Sequence, residues 1–171
     1  MAFADDLPDL RESDFPHLVA AGYRVRSPRT IEYNCIAWAA EDSARWWEPD
    51  TDFQDGDRVY YWPVGGDPPK FTVAAVADAF RTQGYEPCQD GNKERGWEKV
   101  AIYADWKGAT HAARQRRNGV WTSKLGKSHD IDHRTPEALC GPGYGTIAMF
   151  MRRRVKLKRP SKRASRRRRP S

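Results

Sequence analysis

The clearest regular alternation of apolar and polar positions lies between residues 72 and 84, and its period is helical. Val73, Val76, Ala77 and Phe80 recur three and four residues apart, which places them on one face of a helix. Thr72 can cap the first turn and Gly84 can close the last. A second helical pattern opens at Asn34. Ile36, Ala39 and Ala40 fall on one side and Glu41, Asp42 and Arg45 on the other. It predicts a helix that starts on an Asn34 cap and ends at Trp46-Trp47-Glu48-Pro49, since Pro49 cannot continue it. A short helix is expected near residues 14–19, with Pro16 in its first turn, and a short strand over 22–25.

After residue 90 the period falls to two. Residues 99–104, 109–116, 119–125 and 145–151 read as strands, with Asn118-Gly119 as a tight hairpin between the second and third. Residues 60–63 read as an aromatic loop or short strand and 65–69 as a turn-rich connection. Helices followed by a meander of strands make an α+β fold.

Charge divides the chain. The 171 residues carry a net charge of +7, yet all of that excess sits at one end. From Arg152 to Ser171 there are 12 Lys and Arg and no acid, so the remainder holds 18 basic residues against 23 acidic, a net of −5. The expected organisation is an N-terminal extension (1–30), one mildly acidic domain (31–151) and a disordered basic tail (152–171). The tail suits non-specific nucleic-acid or partner binding, while the acidic domain offers no matching basic surface. No run approaches the roughly 18 apolar residues of a membrane helix. The acidic start, Met1 to Asp6, does not resemble a signal peptide, so a cytoplasmic location with no membrane partner is expected.

Three cysteines, Cys35, Cys88 and Cys140, stand far apart with no CxxC pair, against a structural zinc site or a disulfide framework. Cys35 has the setting that chemistry needs. It opens a helix, whose unpaired N–H groups favour a thiolate, and His111 follows on a predicted strand as a candidate base. The bland alternative is a buried thiol acting as a small hydrophobe and a half-buried, inert strand histidine. A third group to orient the imidazole is Ser123, brought alongside by the hairpin, or Asp130 from the following loop. The Cys35 N–H is a natural oxyanion donor, and Asn34 is a second donor or simply the helix cap. Lys124 reads as a carboxylate-binding or an ordinary exposed lysine. His129, Asp130, Asp132 and His133 could together hold a metal, though solvated loop side chains are the simpler reading, and no metal or other cofactor is expected.

Several spaced runs resemble a known family. They are Tyr33-Asn34-Cys35-Ile36-Ala37-Trp38-Ala39, Trp46-Trp47, Tyr61-Trp62-Pro63, Gly84-Tyr85-Glu86-Pro87-Cys88, Glu98-Lys99-Val100-Ala101-Ile102-Tyr103, Thr110-His111-Ala112-Ala113-Arg114-Gln115, Gly119 to Gly126, Asp130-Ile131-Asp132-His133 and Tyr144-Gly145. Together they resemble a family of uncharacterised bacterial proteins, DUF7689, over roughly residues 31–151. The Cys and His motifs also look like those of the NlpC/P60, papain-like superfamily. That resemblance implies a papain-like fold, with N-terminal helices packed on an antiparallel sheet. It also implies a cysteine hydrolase or acyltransferase acting on an amide or ester bond of a peptide or acyl substrate, through Cys35 and His111. The alternative is a papain-like binding module without catalysis.

Overall fold

The structure is a computed structural model that describes residues 11–49, 60–64 and 71–155. The turn at 65–69 and the tail beyond Val155 lie outside the described residues. Among the described residues three α-helices, α1 (Pro16–Ala21), α2 (Cys35–Ala39) and α3 (Val73–Arg81), accompany nine strands. These are β1 (Tyr23–Val25), β2 (Trp46–Trp47), β3 (Tyr60–Tyr61), β4 (Glu86–Cys88), β5 (Trp97–Asp105), β6 (Gly108–Gln115), β7 (Trp121–Lys124), β8 (Asp130–His133) and β9 (Thr146–Arg154). Seven of them form one sheet in the order β1-β8-β7-β6-β5-β9-β4, antiparallel throughout, while β2 and β3 make a separate parallel pair. The fold is α+β.

Both faces of the sheet are buried, by different partners. Val100, Ile102, Ala112 and Met151 point to α2 and α3, where Ile36, Val76 and Phe80 meet them. Ala101, Tyr103, Ala113, Trp121 and Ile131 point the other way, onto Leu18 of α1 and Leu139 of a 3₁₀ turn at Pro136–Leu139. The period-two alternation of strands thus assigns each side chain to one of two separate cores. The helices lie on both faces of the sheet, not on one.

α3 forms where its pattern predicts. Thr72 Oγ1 accepts the Ala75 N–H at 3.1 Å as its cap, and Gly84 follows the helix with φ 85°. α2 starts at Cys35 as expected but stops at Ala39, ten residues before Pro49. The reason is Asp42. Its carboxylate accepts from the Ala44 N–H, the Arg45 Nε and the Trp47 Nε1 at 2.8–3.0 Å, a local turn that competes with helix. Glu41 adopts φ 65°, and the chain turns back so that Trp46-Trp47 pair with Tyr60-Tyr61.

Two further expectations change. Residues 130–133 form a strand, not a loop, because their polar side chains find partners inside the protein. Asp130 meets Tyr33 and Ser27, Asp132 meets Arg26 and Arg116, and His133 meets Ser123. The basic tail does not begin at Arg152. β9 runs through Arg154, and Arg152 and Arg153 are ion-paired to Glu86, Glu94, Glu98 and Glu41. Alternation again separates them, since Arg153 is buried and Arg152 and Arg154 face outward. No helix among the described residues is long and apolar enough to cross a membrane.

Candidate functional site

Cys35 occupies the first turn of α2, and Asn34 fixes that turn. Asn34 Oδ1 accepts from the Ala37 N–H at 3.1 Å and the Trp47 N–H at 3.3 Å, while Nδ2 donates to the Trp47 carbonyl at 2.7 Å. The Asn34 side chain is therefore a cap and a clasp on β2, with one of its two amide N–H donors engaged there.

The Cys35 thiol is buried against the sheet. Backbone N–H groups of Ala112, Ile36 and Cys35 itself surround the sulfur, and the Lys124 ammonium lies near it. Ala112 can offer its N–H because β6 and β7 pair only at Arg114–Thr122 and Gln115–Trp121 and then part. All four of these groups favour the thiolate. Burial opposes them and prevails, pushing the thiol up to about 11.

Around the thiol, on the same face of the sheet, lie Lys124 of β7 and Asp130 of β8, which pair directly across the two strands. Lys124 is fully buried and donates to the Ser128 carbonyl, and burial lowers its pKa against the pull of Asp130 and Cys35. Asp130 Oδ2 accepts from Tyr33 Oη at 2.6 Å and Ser27 Oγ at 2.8 Å. Its other oxygen, also buried, has no partner among the described residues. Tyr33 stacks on Trp38, ring centroids 5.6 Å apart, and Trp38 donates to Thr122 Oγ1. Lys124, read from sequence as a carboxylate-binding or an ordinary exposed lysine, is buried and part of the thiol's surroundings.

His111 sits beside Ala112 in β6 but belongs to the other face, opposite Tyr103. It is fully buried, and its ring lies flat on Tyr144 with centroids 4.0 Å apart and an interplanar angle of 8°. Neither ring nitrogen has a hydrogen-bond partner among the described residues, so no hydrogen bond joins it to Cys35. Burial, with a smaller effect from His133, holds its pKa well below the ordinary value. Burial, with a smaller effect from Cys35, raises the Tyr144 phenol well above its ordinary value.

The candidate orienting groups fall on opposite faces. Ser123 shares a face with His111 but bonds His133 Nε2 at 2.9 Å, and His133 Nδ1 lies 2.8 Å from the Thr135 carbonyl. A carbonyl only accepts, so Nδ1 carries the proton and Nε2 accepts the Ser123 hydroxyl. Asp130 is on the Cys35 face, engaged by Tyr33 and Ser27. Neither hydrogen-bonds His111. The quartet at 129–133 divides in the same way. His129 Nδ1 bonds the Ser27 carbonyl, Asp130 and Asp132 share one face and His133 takes the other, and no group of three metal-binding side chains occurs among the described residues.

Comparison with known proteins adds one result. The profile of a domain of unknown function, DUF7689, matches residues 24–152. The chain belongs to this family. The DUF7689 match runs from β1 into β9 and takes in Cys35, His111, Lys124, Asp130 and Tyr144. Neither a search of curated proteins nor one of solved structures returned a match.

Proposed function

We propose that this domain is a papain-like cysteine hydrolase or acyltransferase, working in the cytoplasm on an amide or ester bond, with its thiol held closed and neutral at rest. The observation that carries the reading is the imidazole of His111. A fully buried histidine with both nitrogens unspent costs stability that no hydrogen bond returns. Such a group, next in sequence to the N–H that faces a helix-borne thiol, is explained by a role in chemistry.

In the reaction His111 takes the Cys35 proton. The thiolate, facing the N–H groups of Ala112, Ile36 and Cys35 and the Lys124 ammonium, attacks the acyl carbon. The imidazolium then gives its proton to the leaving amine or alcohol as the C–N or C–O bond breaks. Water or a second nucleophile, deprotonated by the same imidazole, resolves the thioester. Cys35 and His111 lie on opposite faces of the sheet at rest, so the proton transfer requires β6 to rearrange at His111 and turn the imidazole to the thiol's face. A substrate-bound structure with the two still on opposite faces would exclude the reading.

A second reading is a binding module with no activity. A thiol pushed up to about 11 by burial favours it. Iodoacetamide labelling at pH 7, read residue by residue, separates the two. Cys88 and Cys140 are only half-buried, so passive exposure predicts that both react before Cys35. The catalytic reading predicts that Cys35 reacts first and that His111→Ala slows it at least tenfold. Labelling of Cys88 and Cys140 with Cys35 spared would establish the inert module.

A further inference from the structure

The charged groups on the thiol's face of the sheet form a chain, and its outer members have no part in the reaction above. β7 and β8 pair antiparallel with Lys124 directly opposite Asp130, so the two side chains share a face. Lys124 is fully buried and Asp130 is 2% exposed. Removal from water disfavours the charged form of each. Opposite charges so placed commonly pair, yet no hydrogen bond joins these two. The Lys124 ammonium donates to the Ser128 carbonyl, and Asp130 Oδ2 accepts the hydroxyls of Tyr33 and Ser27. Asp130 Oδ1 is buried with no hydrogen-bond partner among the described residues.

A fixed framework holds both groups where they are. The Asp130 N–H donates to Ser27 Oγ at 3.2 Å, and the Asp130 carbonyl accepts from the Arg26 N–H at 2.8 Å. Tyr33 reaches both charges. Its hydroxyl donates to Asp130, and its ring centroid lies 5.5 Å from Lys124 Nζ, within cation–π range. Tyr33 stands two residues before Cys35 and is itself pinned by its stack on Trp38 of α2. Burial above all, with Arg29, drives the proton off Lys124, while Asp130 and then Cys35 retain it.

We propose that Asp130 and Tyr33 are positioning residues for the Cys35 site, Asp130 by keeping Lys124 an ammonium and Tyr33 by holding carboxylate and ammonium in place. This role rests on the thiol chemistry proposed above. Asp130 then acts on the thiol through Lys124, and not on an imidazole. A carboxylate that stays out of contact stabilises the ammonium without occupying its N–H donors. Lys124 uses one of its three donors on Ser128 and keeps the others for negative charge that forms beside it.

The test uses the full chain with Cys88→Ser and Cys140→Ser, so that Cys35 is the one thiol iodoacetamide can modify. Asp130→Asn keeps the shape and an acceptor for the two hydroxyls but removes the charge. It should slow alkylation of Cys35 at pH 8 about three- to tenfold, and Lys124 should titrate at lower pH, read by carbon-13 NMR of its Cε. The sign is diagnostic. A carboxylate acting directly on the thiol would repel the thiolate, so its loss would speed the reaction. With Lys124→Met already in place the slowing should vanish, which separates loss of the ammonium from a loosened fold. Tyr33→Phe keeps the ring and removes one donor to Asp130. It should move both readouts the same way by a smaller step, and it serves where Asp130→Asn fails to fold. His111→Ala leaves Lys124 and Asp130 in place, so its effect on Cys35 labelling reports on the hydrolase reading separately. Unchanged or faster alkylation in Asp130→Asn, equal slowing with and without Lys124, or an unmoved Lys124 titration would overturn the proposal.

Discussion

Replacing His111 with Phe should make the domain more stable, and more so in acid. The phenyl ring can keep the flat stack on Tyr144 while removing a donor and an acceptor that have no partner among the described residues. An unsatisfied buried polar group costs about 1–3 kcal/mol, so a gain of that order is expected at pH 7. The acid term has a definite sign. His111 is held well below the ordinary histidine value of 6.5, and His133 is held down to about 4 by burial. Below pH 6.5 the unfolded chain takes up protons that these two folded side chains refuse, so stability present at pH 7 is lost as the pH falls toward 4. Between pH 7 and pH 5 His133 alone removes about 2 kcal/mol, and His111 adds a loss of the same sign. His111→Phe should therefore lessen the acid loss without abolishing it. Urea denaturation at pH 7 and pH 5 gives both quantities. A variant less stable than the parent at pH 7, or one with an undiminished loss at pH 5, would refute the reasoning. His133→Phe is the contrast. It should also flatten the acid limb but destabilise at pH 7 by about 2–4 kcal/mol, because it orphans the Ser123 hydroxyl and the Thr135 carbonyl.

Three other outcomes are expected. Lys124→Met keeps the volume but removes a cation that favours the Cys35 thiolate, so alkylation of Cys35 at pH 8 should slow about three- to tenfold; an unchanged rate would mean that the ammonium does not act on the thiol. Asn34→Ala removes the α2 cap and both bonds to Trp47, and urea unfolding should show a loss of about 3 kcal/mol. Gly145 has φ 75°, and a Cβ there would lie 2.1 Å from the Ala104 carbonyl oxygen. Gly145→Ala should therefore cost about 3 kcal/mol or more, read as a drop in melting temperature, and an unaltered melt would contradict the backbone geometry at this turn.

The parts that read correctly from sequence are those where local pattern and tertiary need agree. α3, the strands over β5, β6, β7 and β9, and the Asn34 cap each carry their own periodicity or capping signal. Where long-range contacts decide, the pattern fails. Asp42 spends its carboxylate on its own neighbours and cuts α2 short. Asp130, Asp132 and His133 look like loop residues until partners as distant as Tyr33 and Arg26 are supplied. Around the candidate site, Cys35 at a helix start and His111 on a strand were both legible. Their faces were not, because a one-residue difference between Ala112 and His111 sends side chains into different cores. The same alternation was the available signal for the rest. It places Lys124 and Asp130 together and sets Ser123 with His133, which two short polar runs do not announce by composition.

β9 sits inside the sheet, hydrogen-bonded to β5 on one side and β4 on the other. The residues after Val155 are therefore anchored to an interior strand and not to an edge. A partner that grips those residues and pulls along β9 would load two ladders in shear at once, together with the buried Arg153–Glu98 pair. Tension on that end would spread across the sheet and reach both cores before the strand could peel away.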